Sequence, residues 1–174
     1  MRVWYSADKL RAMYAGGRPD AEARRANRRM RLLTSTGLLP RRVVTLEVSG
    51  RRSGKTISVP LAMTDVDGRW YLVAMLGECN WTRNVRAAGG RVTLVGRRPG
   101  ILPGTRRYEC TLTEVDGGAR PEILARYVEV APGGRPHVPV PPGAPLAEFA
   151  AVSAGFPVFE VDGVPPPRRR SGRR

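Results

Sequence analysis

Val43-Val44-Thr45-Leu46-Glu47-Val48-Ser49-Gly50-Arg51-Arg52-Ser53-Gly54-Lys55-Thr56-Ile57-Ser58-Val59-Pro60-Leu61 is the stretch on which the fold turns. Its first six residues form a β-branched run and read as a strand. From residue 57 onward Ile57, Val59, Leu61 and Met63 alternate with smaller or polar residues, the period of a half-buried strand. The polar segment between them resembles a Walker A loop, but only three residues separate Gly50 from the Gly54-Lys55 pair where a phosphate loop needs four. Such a loop must also open a helix, whereas residues 57–63 have the rhythm of a strand. The segment therefore reads as strand, turn, strand. Glycines at both ends let backbone N–H groups point outward into an anion-binding nest. Arg51, Arg52 and Lys55 add charge, with arginine offering two-pronged contacts to phosphate oxygens. Taken alone, the turn reads equally well as a charged bend facing water.

Working outward, residues 20–33 read as a basic helix with Asp20 as N-cap and a stop near Gly37. Downstream, Asp67-Gly68 is a hairpin signal leading into a strand over residues 70–75. Asn80 is expected to cap a short helix over residues 81–88 that Gly89-Gly90 closes. Strands are expected at 91–95 and 107–115, a helix at 121–130, a proline-rich loop at 132–145, a short helix at 146–154 and a last strand at 157–161. Strands at short spacing with helices as insertions predict a mainly β fold with α insertions (α+β), a small antiparallel barrel. The absence of a βαβ rhythm argues against a Rossmann sheet. The 174 residues suit one domain, parsed as a basic helical segment packed on the barrel (1–40), the barrel (41–163) and a disordered Pro/Arg tail (164–174).

The formal charge of +15 is unevenly placed. Residues 1–55 hold 14 basic and 4 acidic side chains, residues 56–167 hold 11 of each, and the last seven residues add five arginines. Such ends suit nucleic acid, an anionic surface or a polyanionic small molecule. Aromatic residues are not interleaved with the basic runs, as stacking on single strands requires, and no helix-turn-helix or zinc finger is visible. No specific nucleic-acid partner is expected. The longest nearly apolar stretch, residues 149–159, falls far short of the ~20 residues of a membrane span, so at most a peripheral membrane contact through the tail is expected. Charged residues interrupt the N-terminus, unlike a secretory signal, and Cys79 and Cys110 make no disulfide framework. A cytoplasmic location is the resulting expectation. His137, the only histidine, lies in the proline-rich loop, and no metal site is expected.

A second segment comes after the strand at 70–75: Leu76-Gly77-Glu78-Cys79-Asn80-Trp81-Thr82-Arg83-Asn84-Val85-Arg86-Ala87-Ala88-Gly89. On a helix Trp81, Val85 and Ala88 share one face, with Asn84 one turn from Trp81. A tryptophan there is most simply a core residue. Gly50-Arg51-Arg52-Ser53-Gly54-Lys55 followed by Pro60-Leu61, the Tyr71-Leu72-Val73-Ala74 strand, Gly77, and then Trp81, Asn84, Arg86 and Ala87 together resemble the deazaflavin (F420)-dependent nitroreductase and quinone reductase family over roughly residues 40–100.

The resemblance implies a split β-barrel that binds coenzyme F420, an 8-hydroxy-5-deazaflavin with a phosphate and an oligoglutamate tail, with FMN as the secondary choice. The alternatives are a barrel of the same fold that binds F420, FMN or haem without turnover, or a nonspecific nucleic-acid-binding module. It implies an oxidoreductase that passes a hydride from the reduced coenzyme to a quinone, enone or nitro acceptor, and a barrel that often pairs as a homodimer. The positions it assigns to the cofactor are Arg51, Arg52, Ser53, Gly54, Lys55, Ser58, Pro60, Met75, Leu76, Gly77, Asn80, Trp81 and Asn84. Tyr127, ahead of Tyr71 and Tyr108, is the candidate proton donor because it sits on the helix after the barrel strands. The chain departs from the family pattern at Ile57, Met75 and Leu76, and in the segment running from residue 132 to His137, which points to a different acceptor range.

Overall fold

The alternation seen in the sequence places every second residue of each strand inside a barrel. In the computed structural model, which describes residues 5–15 and 19–167, six strands close on themselves: β1 (Val43–Ser49), β2 (Thr56–Val66), β3 (Arg69–Val73), β4 (Arg91–Arg97), β5 (Thr105–Glu114) and β6 (Val158–Asp162). Around the barrel the order is β1-β2-β3-β6-β5-β4, with β4 returning to β1 and every pair antiparallel. Closure leaves no free sheet edge. Asp67 and Gly68 both take positive φ (48° and 78°), as the tight β2–β3 hairpin requires. This is the split barrel that the resemblance implied.

Register sorts the side chains. Pairing of Leu46 with Val59 and Val44 with Leu61 sends these four inward, where they meet Leu72, Leu94, Leu112 and Phe159. Ser58, Pro60 and Ala62 consequently face outward. Two helices lie over the outer face: α4 (Arg120–Val130) covers β2 and β3, and α5 (Leu146–Ser153) packs against α4. They bury a second cluster of Tyr71, Val73, Ile123, Leu124, Val128, Phe149 and Val158. A helix α3 (Asn80–Ala87) inserts Trp81 and Val85 into the barrel interior. A basic helix α2 (Ala21–Ser35), capped by Asp20 accepting from the Ala23 N–H at 2.7 Å, crosses β1, β2 and β4.

Several boundaries differ from the sequence reading. The third strand ends at Val73, leaving Met75 in the loop beyond it. Asn80 is the first helical residue rather than the cap. The Thr82 hydroxyl instead accepts from the Cys79 N–H at 3.1 Å, so α3 starts one residue earlier with Cys79 as its N-cap. A short helix α1 (Ala7–Met13) precedes α2, capped by Ser6; its one apolar face, Leu10 with Met13, is too short a period to be read from the sequence. At the far end of the chain Pro165 is packed: its carbonyl accepts from Trp70 Nε1 and Arg41 Nη2, both at 3.0 Å. The rest of the expected tail, residues 168–174, lies outside the described residues.

Candidate functional site

The turn between β1 and β2 is held by its own backbone and by one buried side chain. Gly50 N–H donates to the Lys55 carbonyl (2.9 Å) and Gly54 N–H to the Gly50 carbonyl (2.8 Å). The Ser53 hydroxyl accepts from the Lys55 N–H at 3.3 Å. Asn84, only 4% exposed, presents its Oδ1 to both Arg51 groups, the N–H at 3.3 Å and Nη1 at 2.9 Å. Arg51 is thus turned back toward α3. Residues 51–55 are otherwise exposed. The N–H groups of Arg52 and Ser53 have no acceptor among the described residues. Neither Arg52 nor Lys55 has a carboxylate within ion-pair distance there.

The neighbouring cations behave differently. Arg86 on α3 bridges Glu78 (2.5 Å) and Glu114 (2.7 Å), and Arg83 lies 3.4 Å from Glu78. The hydrogen bond from Arg86 holds the Glu78 carboxyl below the usual carboxylate range, and does the same for Glu114. These charges are spent on fastening α3 to β5. Arg52 and Lys55 on the turn stay without a carboxylate partner among the described residues, which suits an incoming anion.

The other assigned positions divide into three groups. Ser58 and Pro60 lie on the outward, half-buried face of β2, and the Ser58 carbonyl accepts from Arg31 Nη1 at 3.3 Å, tying α2 to β2. Met75, Leu76 and Gly77 form a half-buried loop at the same barrel end, closed by Gly77 N–H donating to the Ala74 carbonyl at 2.9 Å. Asn80 is exposed on the first turn of α3. Trp81 points into the barrel, 7% exposed, its ring 5.5 Å from Phe159, so it is a core residue.

Tyr127 is 4% exposed in the second cluster, and a side-chain carbon added at Gly134 would overlap its hydroxyl. Burial pushes its phenol far above the ordinary range, which keeps it neutral and a reluctant acid. Burial also raises the Cys79 thiol. His137 packs edge-on against Tyr14 (5.5 Å); its Nε2 is buried without a partner, and burial followed by the Arg11 charge lowers its pKa. No group of three or more His, Cys, Asp or Glu suited to a metal occurs among the described residues. No described helix is long and apolar enough to cross a membrane. Sequence reasoning missed Arg31 and the Glu78–Arg86–Glu114 bridge. Arg31 lay hidden among the five arginines of α2, and the bridge joins residues far apart in the chain.

A closed six-stranded split barrel with an exposed basic turn beside a helix-plugged end defines the class of scaffold. Within it, this chain belongs to the F420H2-dependent quinone reductase family, whose model matches residues 21–134. It is accordingly an F420-dependent oxidoreductase. Among solved structures it is similar to an F420-H2 dependent reductase, FDR-A, at 26% identity, covering 71% of this chain and 96% of that one with a TM-score of 0.45. A domain-swapped dimer matches at 25% identity over 78% of this chain and 94% of that one, TM-score 0.46. A protein of unknown function from Agrobacterium tumefaciens matches at 14% identity over 87% of this chain and 56% of that one, TM-score 0.50. No curated protein matches the chain.

Proposed function

We propose that this protein uses F420H2 to reduce a quinone or a comparably electron-poor enone or nitro compound, and that the turn of residues 51–55 holds the phosphate and anionic tail of the cofactor. The observation that carries this reading is the pairing of two uncompensated cations, Arg52 and Lys55, with two unused backbone N–H groups on one anchored, exposed turn. A phosphate oxygen accepts from backbone N–H and guanidinium donors together, so the donor set fits the group. When bound, reduced deazaflavin supplies the hydride from its C5.

The chain's own residues bind and orient. Arg52 and Lys55 take the anion, while Arg51 and Asn84 keep the turn in place. The outward face of β2 at Ser58 and Pro60, with the Met75–Leu76–Gly77 loop, offers a half-buried wall for the planar ring, from which water is excluded on one side. Asn80 lies at the edge of this wall. Trp81 fixes α3 from within. Tyr127 is read as a core residue rather than as the proton donor.

Titration of the purified protein with F420, followed by fluorescence quenching with FMN as control, tests the assignment. Saturable binding of the deazaflavin is expected. Arg52→Ala should weaken it about tenfold, the scale of one lost charge-assisted hydrogen bond, with unfolding free energy unchanged to within about 0.5 kcal/mol. An Arg52→Ala variant that binds and turns over like the parent would remove the turn from the site.

A further inference from the structure

Five apolar side chains stand out in solvent at the barrel end opposite the anion nest. Leu32, Leu33 and Leu38 at the end of α2 are 64%, 49% and 68% exposed; Ile101 and Leu102, in the loop between β4 and β5, are 96% and 68% exposed. The two segments form one surface. Gly37 takes a positive φ of 70° and lies so close to the Gly104 backbone that a side-chain carbon there would overlap it, so the helix end and the loop are pressed together.

Exposed arginines lie on the same two segments as these residues. Arg25, Arg28 and Arg29 are exposed on α2 and share its outer face with Leu32 through three- and four-residue spacings. Arg98 and Arg106 are exposed at the base of the loop. None of the five has a carboxylate partner among the described residues. The sequence shows why: residues 23–46 and 91–108 contain no aspartate or glutamate. Elsewhere Arg69, Arg86, Arg120 and Arg126 each meet an acid, whereas of the arginines in these two segments only Arg42 and Arg107 do. Unpaired cations around exposed apolar residues are concentrated at this end.

We propose that this end docks on an anionic lipid bilayer. Ile101, Leu102, Leu33 and Leu38 enter the boundary between headgroups and acyl chains, and the arginine ring lies on lipid phosphates. A second copy is a poor occupant, because a two-fold interface would set the arginine ring against itself. Nucleic acid would engage the arginines but leave the apolar tip without a partner. The nest lies at the other end of the barrel, so docking leaves it open. The docking does not depend on the identity of the acceptor.

Flotation of the full-length protein with phosphatidylcholine vesicles, with and without phosphatidylglycerol, reads the docking directly. Binding is expected only with the anionic lipid and should fade in high salt. The double variant Ile101→Ser/Leu102→Ser alters two solvent-facing side chains and should lower partitioning about tenfold or more, with F420 titration unchanged as the control for folding. Arg28→Gln/Arg29→Gln should lower it by about tenfold through charge alone. Leu102→Trp should show a blue-shifted emission with anionic vesicles and none with neutral ones. The proposal is overturned if Ile101→Ser/Leu102→Ser partitions like the parent, since the charged chain ends would then suffice. A Leu102→Trp variant whose emission stays unshifted overturns it too, as does retention of duplex DNA with no vesicle binding.

Discussion

Trp81 and Tyr127 are both aromatic residues on short helices, both stand out in the sequence as site candidates, and both are less than a tenth exposed. They occupy different cores. Trp81 on α3 fills the barrel interior against Phe159, while Tyr127 on α4 fills the layer outside the barrel. The difference that bears on function lies one turn further along each helix. Three residues after Trp81 stands Asn84, a buried amide that reaches out to hold an exposed, positively charged turn. Three residues after Tyr127 stands Val130, with no polar link to the nest. A buried aromatic residue on a helix therefore does not mark a site. A buried polar group bridging the core to an exposed loop does fix that loop's shape, because burying an amide is tolerated only where its hydrogen bonds are made.

The largest effect should come from Trp81→Ala. Removing the ring leaves a cavity beside Phe159 and Val85 and should cost about 3–5 kcal/mol of unfolding free energy, read by denaturant titration. F420 binding should fall with it, because α3 carries Asn84. A cost below about 1.5 kcal/mol would show that α3 is not the plug of the barrel.

Asn84→Ala separates anchor from plug. It leaves the Arg51 N–H without its acceptor and should cost about 1–3 kcal/mol, less than Trp81→Ala. Its effect on F420 affinity should be as large as that of Arg52→Ala although Asn84 need not touch the cofactor. Asn84→Asp keeps the acceptor and should restore the turn. An Asn84→Ala protein with unchanged affinity would break the comparison, since the turn would then hold its shape unaided.

Legibility in the sequence divides along the same line. The strand–turn–strand at residues 43–61 was readable because period-2 alternation and one glycine-rich turn are local signals. The closing pairs β1·β4 and β3·β6 were not, since they join residues some 50 to 90 positions apart and leave no periodic trace. The cap of α3 was misplaced by one residue because Asn80 and Cys79 both precede Thr82, and only the Thr82 hydroxyl decides between them. Arg51, Arg52 and Lys55 looked equivalent in the sequence. Asn84 makes them unequal by holding the Arg51 side chain and leaving those of the other two without a partner among the described residues.

Tyr127→Phe should have the smallest effect and tests the comparison most sharply. The phenol sits against Gly134, and losing its oxygen should change stability by no more than about 1 kcal/mol near neutral pH. Because burial raises its pKa, the folded state holds the phenolic proton more tightly than the unfolded chain does. That contribution is present in full below pH about 10, the ordinary tyrosine value, and is lost as pH rises beyond it. The variant should therefore gain stability relative to the parent only in strong alkali, while turnover with F420H2 and its pH profile near neutrality stay within about twofold of the parent. A turnover loss of about 100-fold, the scale on which a missing general acid is felt, would mean that α4 opens to admit substrate. In that case Tyr127 and Asn84 would exchange the roles that their surroundings assign them.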